Sequence, residues 1–282
     1  MRKYIFLDID GTLFSSKLGG IPESALEAIE QAQRLGHKIF LCTGRSLAEV
    51  AQYLDIKVDG FIFGAGAMVY CDGKRIYDHP INSHDIARIK RLVKKHGLGY
   101  CLEGNAGAYC SKEGYEVLLR YFAGGETDRE KQIEKITANC TYPEVFGSEE
   151  NDQIYKVAVT GTKWEPDFPL LQQAIEEPFL FTKVVDLPDS RVFIAEITDK
   201  NINKATGIDV ILDHYQADVF ATIGIGDSAN DLPMLKKCAV GIAMGNGAQE
   251  AKDAADYVTT DILEHGIWNA FVEYGLVEGE KR

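Results

Sequence analysis

Five consecutive residues offer the clearest chemistry in the chain: Asp8-Ile9-Asp10-Gly11-Thr12. Residues two apart on an extended chain share a side, so the two carboxylates converge. In water they repel; at the carboxyl end of a parallel strand, where α/β folds bind ligands, they suit a divalent cation. A second acidic stretch, Gly226-Asp227-Ser228-Ala229-Asn230-Asp231, also follows an apolar run. Alone it reads equally well as a strand-to-helix turn with a capping Asp or Ser. Thr43-Gly44-Arg45-Ser46 precedes a helical pattern, where backbone N–H groups and the helix dipole favour phosphate; a simple Thr/Ser helix cap fits it as well. Lys204, after Asn201-Ile202-Asn203, opens another helical pattern, and on its own it is an ordinary solvated lysine.

These residues need elements to hold them. Lys3 to Ile9, Lys38 to Cys42 and Gly60 to Phe63 are short apolar runs of the kind that forms buried parallel strands. Helical patterns at Pro22 to Leu35 and Ser46 to Leu54 alternate with them, which predicts a doubly wound α/β region. From residue 82 the rhythm changes. Helical patterns (Ile86 to His96, Phe168 to Glu176) mix with strand-like runs (Gly99 to Glu103, Ala108 to Ser111, Ile154 to Thr160, Phe179 to Val185, Arg191 to Ile197), as in a separate α+β domain. The α/β rhythm then returns: helix Lys204 to Tyr215, strand Val219 to Ile225, short helix Ala229 to Lys237, strand Val240 to Met244. The expected division is 1–82, an insertion at 83–190, and 191–282.

Composition sets outer limits. The 282 residues are 45% hydrophobic and 26% charged, with a net charge of -13, ordinary for a globular protein. No Lys/Arg-rich run could form a nucleic-acid surface, and no apolar run approaches the ~20 residues of a membrane span. Neither nucleic acid, membrane nor a protein partner is expected. Six scattered cysteines without a C-x-x-C pair read as reduced thiols in a cytoplasmic protein. The histidines show no zinc-site spacing. Cys42 alternates away from Thr43 into the core. Lys90, Arg91, Lys94 and Lys95 read as a solvated helix face.

Taken together, the four elements in this order, with a domain inserted between the second and the fourth, resemble the haloacid dehalogenase (HAD) superfamily. More narrowly they resemble the Cof-type phosphatases, whose α/β cap lies between the Thr and Lys motifs. The tail Gly241-Ile242-Ala243-Met244-Gly245-Asn246-Gly247 matches as well. The resemblance implies a HAD-like Rossmannoid core, a parallel sheet sandwiched by helices, with an inserted α+β cap domain. It implies an aspartyl-phosphate on Asp8, with Asp10 protonating the leaving group and then activating water. Mg²⁺ would be held by Asp8, the Asp10 carbonyl and Asp227. Ile9, Thr43, Gly44, Lys204 and Asn230 would bind the phosphoryl group, and Asp231 would support the metal shell or orient Lys204. The substrate would be a small phosphorylated metabolite, a sugar phosphate or a nucleotide-like cofactor phosphate.

One departure stands out. Where the family often has Asn-Gly-Ala after the third strand, this chain has Gly64-Ala65-Gly66-Ala67. Two rival functions share the motifs: a phosphomutase, and a non-catalytic sensor of a phosphorylated ligand. Glu103, Tyr109 and Arg191 are candidate substrate contacts, each also readable as a core or surface residue.

Overall fold

The computed structural model describes residues 1–47, 50, 56–124, 126, 128–139 and 152–282. In chain order, β1 (Tyr4–Asp8), α1 (Glu23–Arg34), β2 (Lys38–Cys42), β3 (Gly60–Phe63), β4 (Met68–Cys71) and β5 (Lys74–Asp78) come first. Then follow α2 (Ser83–Lys95), β6 (Gly99–Gly104), β7 (Ala108–Cys110), α3 (Lys112–Ala123), α4 (Arg129–Asn139), β8 (Ile154–Gly161), α5 (Asp167–Ala174), β9 (Phe179–Leu187) and β10 (Val192–Asp199). The chain closes with α6 (Lys204–Tyr215), β11 (Thr222–Gly226), α7 (Leu232–Lys237), β12 (Val240–Ala243), α8 (Gln249–Ala254), β13 (Tyr257–Val258) and α9 (Gly266–Glu273). Two compact units result: Met1–Gly44, Ile56–Asp78 and Ile202–Arg282 in the first, and Arg45–Asp55 and His79–Asn201 in the second.

The first unit holds an eight-stranded sheet in the order β13-β12-β11-β1-β2-β3-β4-β5. Every pair from β13 to β3 is parallel. Tyr4, Phe6, Phe40 and Cys42 pack on one face against Ile208, Ile211 and Leu212 of α6 and Met234 of α7. Ile5, Leu7, Ile39 and Leu41 are fully buried on the alternate face, and α1 packs on β2 and α9. Apolar residues on both faces are what a sheet covered by helices demands. The expected parallel sheet therefore stands, with one addition: β3-β4-β5 run antiparallel at its edge. The turn Asp72-Gly73 joins that hairpin, both residues at positive φ (+49° and +75°). Asp-Gly is a strong hairpin signal, so the sequence itself carries this element. The helical pattern expected at 46–54 lies largely outside the described residues.

The second unit is built on a five-stranded antiparallel sheet, β7-β6-β8-β10-β9. Ile86, Ile89 and Val93 of α2 and Phe168 and Leu171 of α5 pack on one face with Leu102, Val157 and Phe193. Tyr115, Leu118 and Leu119 of α3 pack on the other, against Cys101, Ala158 and Ile194. β10 pairs with β8 and β9, so this unit runs to Asn201 and the boundary expected at 190 moves beyond β10. Helix α3, which lies outside the expected elements, carries Gly114 in its first turn. Its lack of a side chain is what lets the helix approach β6, for a Cβ there would overlap the Tyr100 carbonyl.

One composition-based expectation is corrected. Cys101 and Cys110 stand directly opposite each other across β6 and β7 and are joined as a disulfide. A hairpin register creates this proximity, which spacing along the chain does not reveal. Cys42, Cys71 and Cys238 are buried and free. Among the described residues no helix is long and apolar enough to cross a membrane.

Candidate active site

β1 ends at Asp8, and the chain turns at once. The Ile9 carbonyl accepts the backbone N–H of Leu13 (2.9 Å) and Phe14 (2.7 Å), and Gly11 returns its N–H to Phe14 (3.0 Å). Gly11 sits at φ +87°, and any Cβ there would overlap the Asp227 carboxylate. This glycine thus lets the first acidic loop meet the second. Thr12 Oγ1 clasps them together, donating to Asp227 Oδ1 at 3.0 Å.

Past the turn, the two carboxylates of the first motif differ in exposure. Asp8 is 4% exposed, whereas Asp10 is exposed. The extended geometry that predicts a shared side holds only to the end of the strand. Among the described residues, Asp8, Asp227 and Asp231 form one group, with ligand oxygens all within 4.8 Å of one another. Ile9 is fully buried, so only its main chain could reach a phosphate.

Lys204 completes the cluster. It opens α6, whose start is fixed by a capping box: the Asn203 side chain accepts the N–H groups of Ala205 and Thr206, and Thr206 Oγ1 accepts the Asn203 N–H. The side chain is wholly buried, and Nζ donates to Asp8 Oδ1 and to Asp231 Oδ1, each at 2.5 Å. Asp231 Oδ2 accepts the backbone N–H groups of Asp227 and Ser228, both at 3.0 Å. Asp231 thus has both oxygens engaged. It orients Lys204 and shapes the loop that carries Asp227, leaving Asp8 and Asp227 as the freer carboxylates. Gly44 approaches Asn230, a Cβ on it lying 3.6 Å from the Asn230 amide nitrogen. Thr43 is buried at the end of β2, its N–H held by the Ile62 carbonyl at 2.8 Å.

The electrostatics follow from two buried acids sharing one ammonium, with a half-buried third beside them. Burial drives the Asp8 carboxyl well above its ordinary value; Lys204 opposes that, and Asp231 and Asp227 add to it. Burial and Asp231 raise Asp227 as well. Burial pulls the Lys204 ammonium down, but Asp8 and Asp231 outweigh it and hold the lysine protonated. An excess of hard-oxygen charge over one cation is a donor set that fits Mg²⁺. Cys42, buried beneath the site, has its thiol raised well above the ordinary value by burial, as befits a core residue rather than a nucleophile.

Three further candidates belong to the second unit. Glu103 is buried in the second unit and pairs with Lys156 at 2.9 Å. Tyr109 donates to Asp152 at 2.9 Å. Arg191 occupies a positive-φ turn, its N–H on the Pro188 carbonyl. Two residues of the quoted motifs, Thr12 of the first and Asn246 of the tail, carry no role that the sequence alone assigns. The Asn246 amide donates to the Gly11 carbonyl at 2.7 Å and accepts the Ile262 N–H at 2.9 Å, tying the first loop to the tail.

A parallel sheet with an acidic, lysine-closed cluster at its strand ends and an inserted α+β unit defines a HAD-type fold. Residues 5–271 match the haloacid dehalogenase-like hydrolase family, and the chain belongs to it. Over 282 aligned residues it is 28% identical to YkrA of Bacillus subtilis strain 168, spanning 98% of this chain and 99% of that one. It resembles the subclass IIB sugar phosphatase BT4131 at 28% identity and a TM-score of 0.75, covering 98% of this chain and 100% of that one. The phosphatase BT1666 from Bacteroides thetaiotaomicron matches at 25% identity and a TM-score of 0.77, covering 98% and 96%. These likenesses agree with the Cof-type relationship read from the motifs.

Proposed function

We propose that the protein is a Mg²⁺-dependent phosphatase that hydrolyses a small phosphorylated metabolite through an aspartyl-phosphate on Asp8, acting in the cytoplasm. The observation that carries this reading is Lys204 Nζ, buried between Asp8 and Asp231 with Asp227 in the same carboxylate group. Phosphoryl transfer to a carboxylate brings two anions together, so the surroundings must supply positive charge and fixed positions.

An Asp8 oxygen forms a bond to phosphorus as the ester P–O bond breaks, and Asp10 gives its proton to the departing oxygen. Water then attacks the phosphorus of the aspartyl-phosphate while Asp10 takes a water proton. The bond to Asp8 breaks, and phosphate leaves with both carboxyls restored. Asp10 is exposed, which lets it reach leaving groups and water in a way the buried Asp8 does not. Lys204 holds the nucleophile and meets the phosphoryl charge. Thr43, Gly44, Asn230 and the Ile9 main chain bind the phosphoryl oxygens. Mg²⁺, on Asp8, Asp227 and the Asp10 carbonyl, would supply the remaining charge neutralisation. The second unit serves as the cap domain. The likeness to BT4131 favours a sugar phosphate over a cofactor phosphate.

The test is phosphate release from sugar phosphates, nucleotides and cofactor phosphates, with and without Mg²⁺, against Asp8→Asn. Mg²⁺-dependent release that vanishes in Asp8→Asn is expected. A folded wild-type protein that binds Mg²⁺ and releases no phosphate from any of them would overturn the reading in favour of a mutase or a sensor.

A further inference from the structure

Three successive residues after β3 lie at positive φ: Gly64 (+54°), Ala65 (+54°) and Gly66 (+119°). Two are glycines. The middle one is not, and an L-residue adopts the left-handed region at a cost that its surroundings must impose. On one side, Ala65 donates its N–H to the Thr43 carbonyl at 2.9 Å, while Thr43 donates its own to Ile62 at 2.8 Å. The segment running from β3 into the turn therefore grips Thr43 from both ends. On the other side, a Cβ on Gly66 would overlap the Asn203 carbonyl and come within 3.1 Å of Thr206 Oγ1. Asn203 and Thr206 are the capping pair of α6, and Lys204 is the next residue after Asn203. One turn further on, a Cβ on Gly207 would lie 2.6 Å from Ile62 Cγ2, so α6 also rests on β3 itself.

We propose that the Gly64–Gly66 turn is a positioning element. It fixes the Thr43 loop against the N-terminus of α6 and thereby sets where Thr43 and Lys204 stand relative to each other. The proposal rests on the phosphatase reading for the ligand it names, but its geometry concerns only this turn, Thr43 and α6. Adding one methyl at Gly66 must push the cap of α6 outward, because the obstacle is a backbone carbonyl rather than a side chain that could swing away. Lys204 Nζ, now 2.5 Å from two carboxylates, would move with it.

The experiment compares Gly66→Ala with Ala28→Gly. Ala28 is buried in α1 on the alternate face of the sheet, and its loss weakens the fold without touching the turn. Both variants lower Tm. Inorganic phosphate binding in the presence of Mg²⁺, measured by calorimetry below both transitions, should weaken by about tenfold or more in Gly66→Ala and stay at the wild-type value in Ala28→Gly. Equal affinity in Gly66→Ala and wild type, or equal loss in both variants, would overturn the proposal. A double-mutant cycle of Gly66→Ala with Lys204→Met, read from urea midpoints, decides the matter even if the protein binds no phosphate. The two losses should be less than additive, since both disturb the same contact, and simple additivity would count against the turn. Absent phosphate binding combined with coupling in the cycle would sink the phosphatase reading and leave the turn's role standing.

Discussion

Each unit of the molecule sets a lysine between two carboxylates, and the two arrangements differ in how they are built. In the first unit Lys204, Asp8 and Asp231 come from the start of a helix, the end of a strand and a loop, joined over sequence separations of 196 and 27. In the second, Lys156 lies directly opposite Glu103 in the β6–β8 register, and Glu196 reaches it from β10 at 2.8 Å. The first lysine is wholly buried; the second and its Glu196 partner are 15% and 30% exposed. The first cluster also holds a third acid, Asp227, which raises the Asp8 carboxyl further. An ion cluster on strand faces can be satisfied by register. One at strand ends, with more negative charge than the protein neutralises, is built to receive something positive.

That contrast can be broken experimentally, most severely at the nucleophile. Asp8→Asn should lower phosphate release by roughly 10⁴-fold or more while the protein stays folded; single-turnover assays on the purified variant check it. Substantial residual turnover would remove the chemical half of the comparison.

Removing the lysines separates the clusters next. Lys204→Met strands two buried carboxylates and should cost about 3–5 kcal/mol of stability as well as activity. Lys156→Met strands one buried carboxylate, Glu103, while Glu196 stays partly solvated, so a smaller loss of about 1–3 kcal/mol is expected, with release from a minimal aryl phosphate retained. Urea denaturation and turnover on the same two variants measure both. Equal effects would mean that the two clusters are alike.

Asp227→Asn sharpens the role of excess charge. Taking away one raised, partly buried carboxylate should increase the Tm of the protein in EDTA and erase the increase that Mg²⁺ gives wild type. A Tm that falls in EDTA would contradict the electrostatic account.

The smallest effect is on pH. Asp8 and Asp227 have folded-state values raised above their unfolded ones, so folding takes up protons between the two. Their unfavourable contribution is absent below the ordinary carboxylate value and grows as pH rises through the raised ones. In EDTA, the stability gap between Asp227→Asn and wild type should therefore widen from acid to neutral pH. In saturating Mg²⁺ the gap should reverse, because the metal stabilises only the charged site. Chemical denaturation across that range provides the readout.

Much of this was legible in the sequence because it is local. β2, β3 and α6 fall where the apolar runs and helical pattern place them, since strand alternation and helix period are written along the chain. The expected strand Val219 to Ile225 begins instead at Thr222, after a turn of 3₁₀ helix that Asp218 caps through the Phe220 N–H. The four motifs were visible as acidic loops and one lysine. Yet Lys204 carried almost no weight alone, and the family resemblance gave it its role before any geometry did. The pairing of Cys101 with Cys110, the ion cluster of the second unit, the Asn246 tie and the grip of Ala65 on Thr43 were not legible.

What the sequence by itself determined is the set of elements and the chemical types at the strand ends: two acidic loops, a threonine loop and a lysine at a helix start. What only the tertiary structure decided is which of those groups meet. It buried Asp8 and left Asp10 exposed, although the two are neighbours in one motif, because the strand stops at Asp8 and the chain turns back on the Ile9 carbonyl. It joined Lys204 to Asp8 across most of the chain because parallel strands bring distant residues to one edge. Burial, and with it the raised carboxyls and the charge excess, belongs to that assembly, since the cost of a charge depends on what surrounds it and not on its place in the chain.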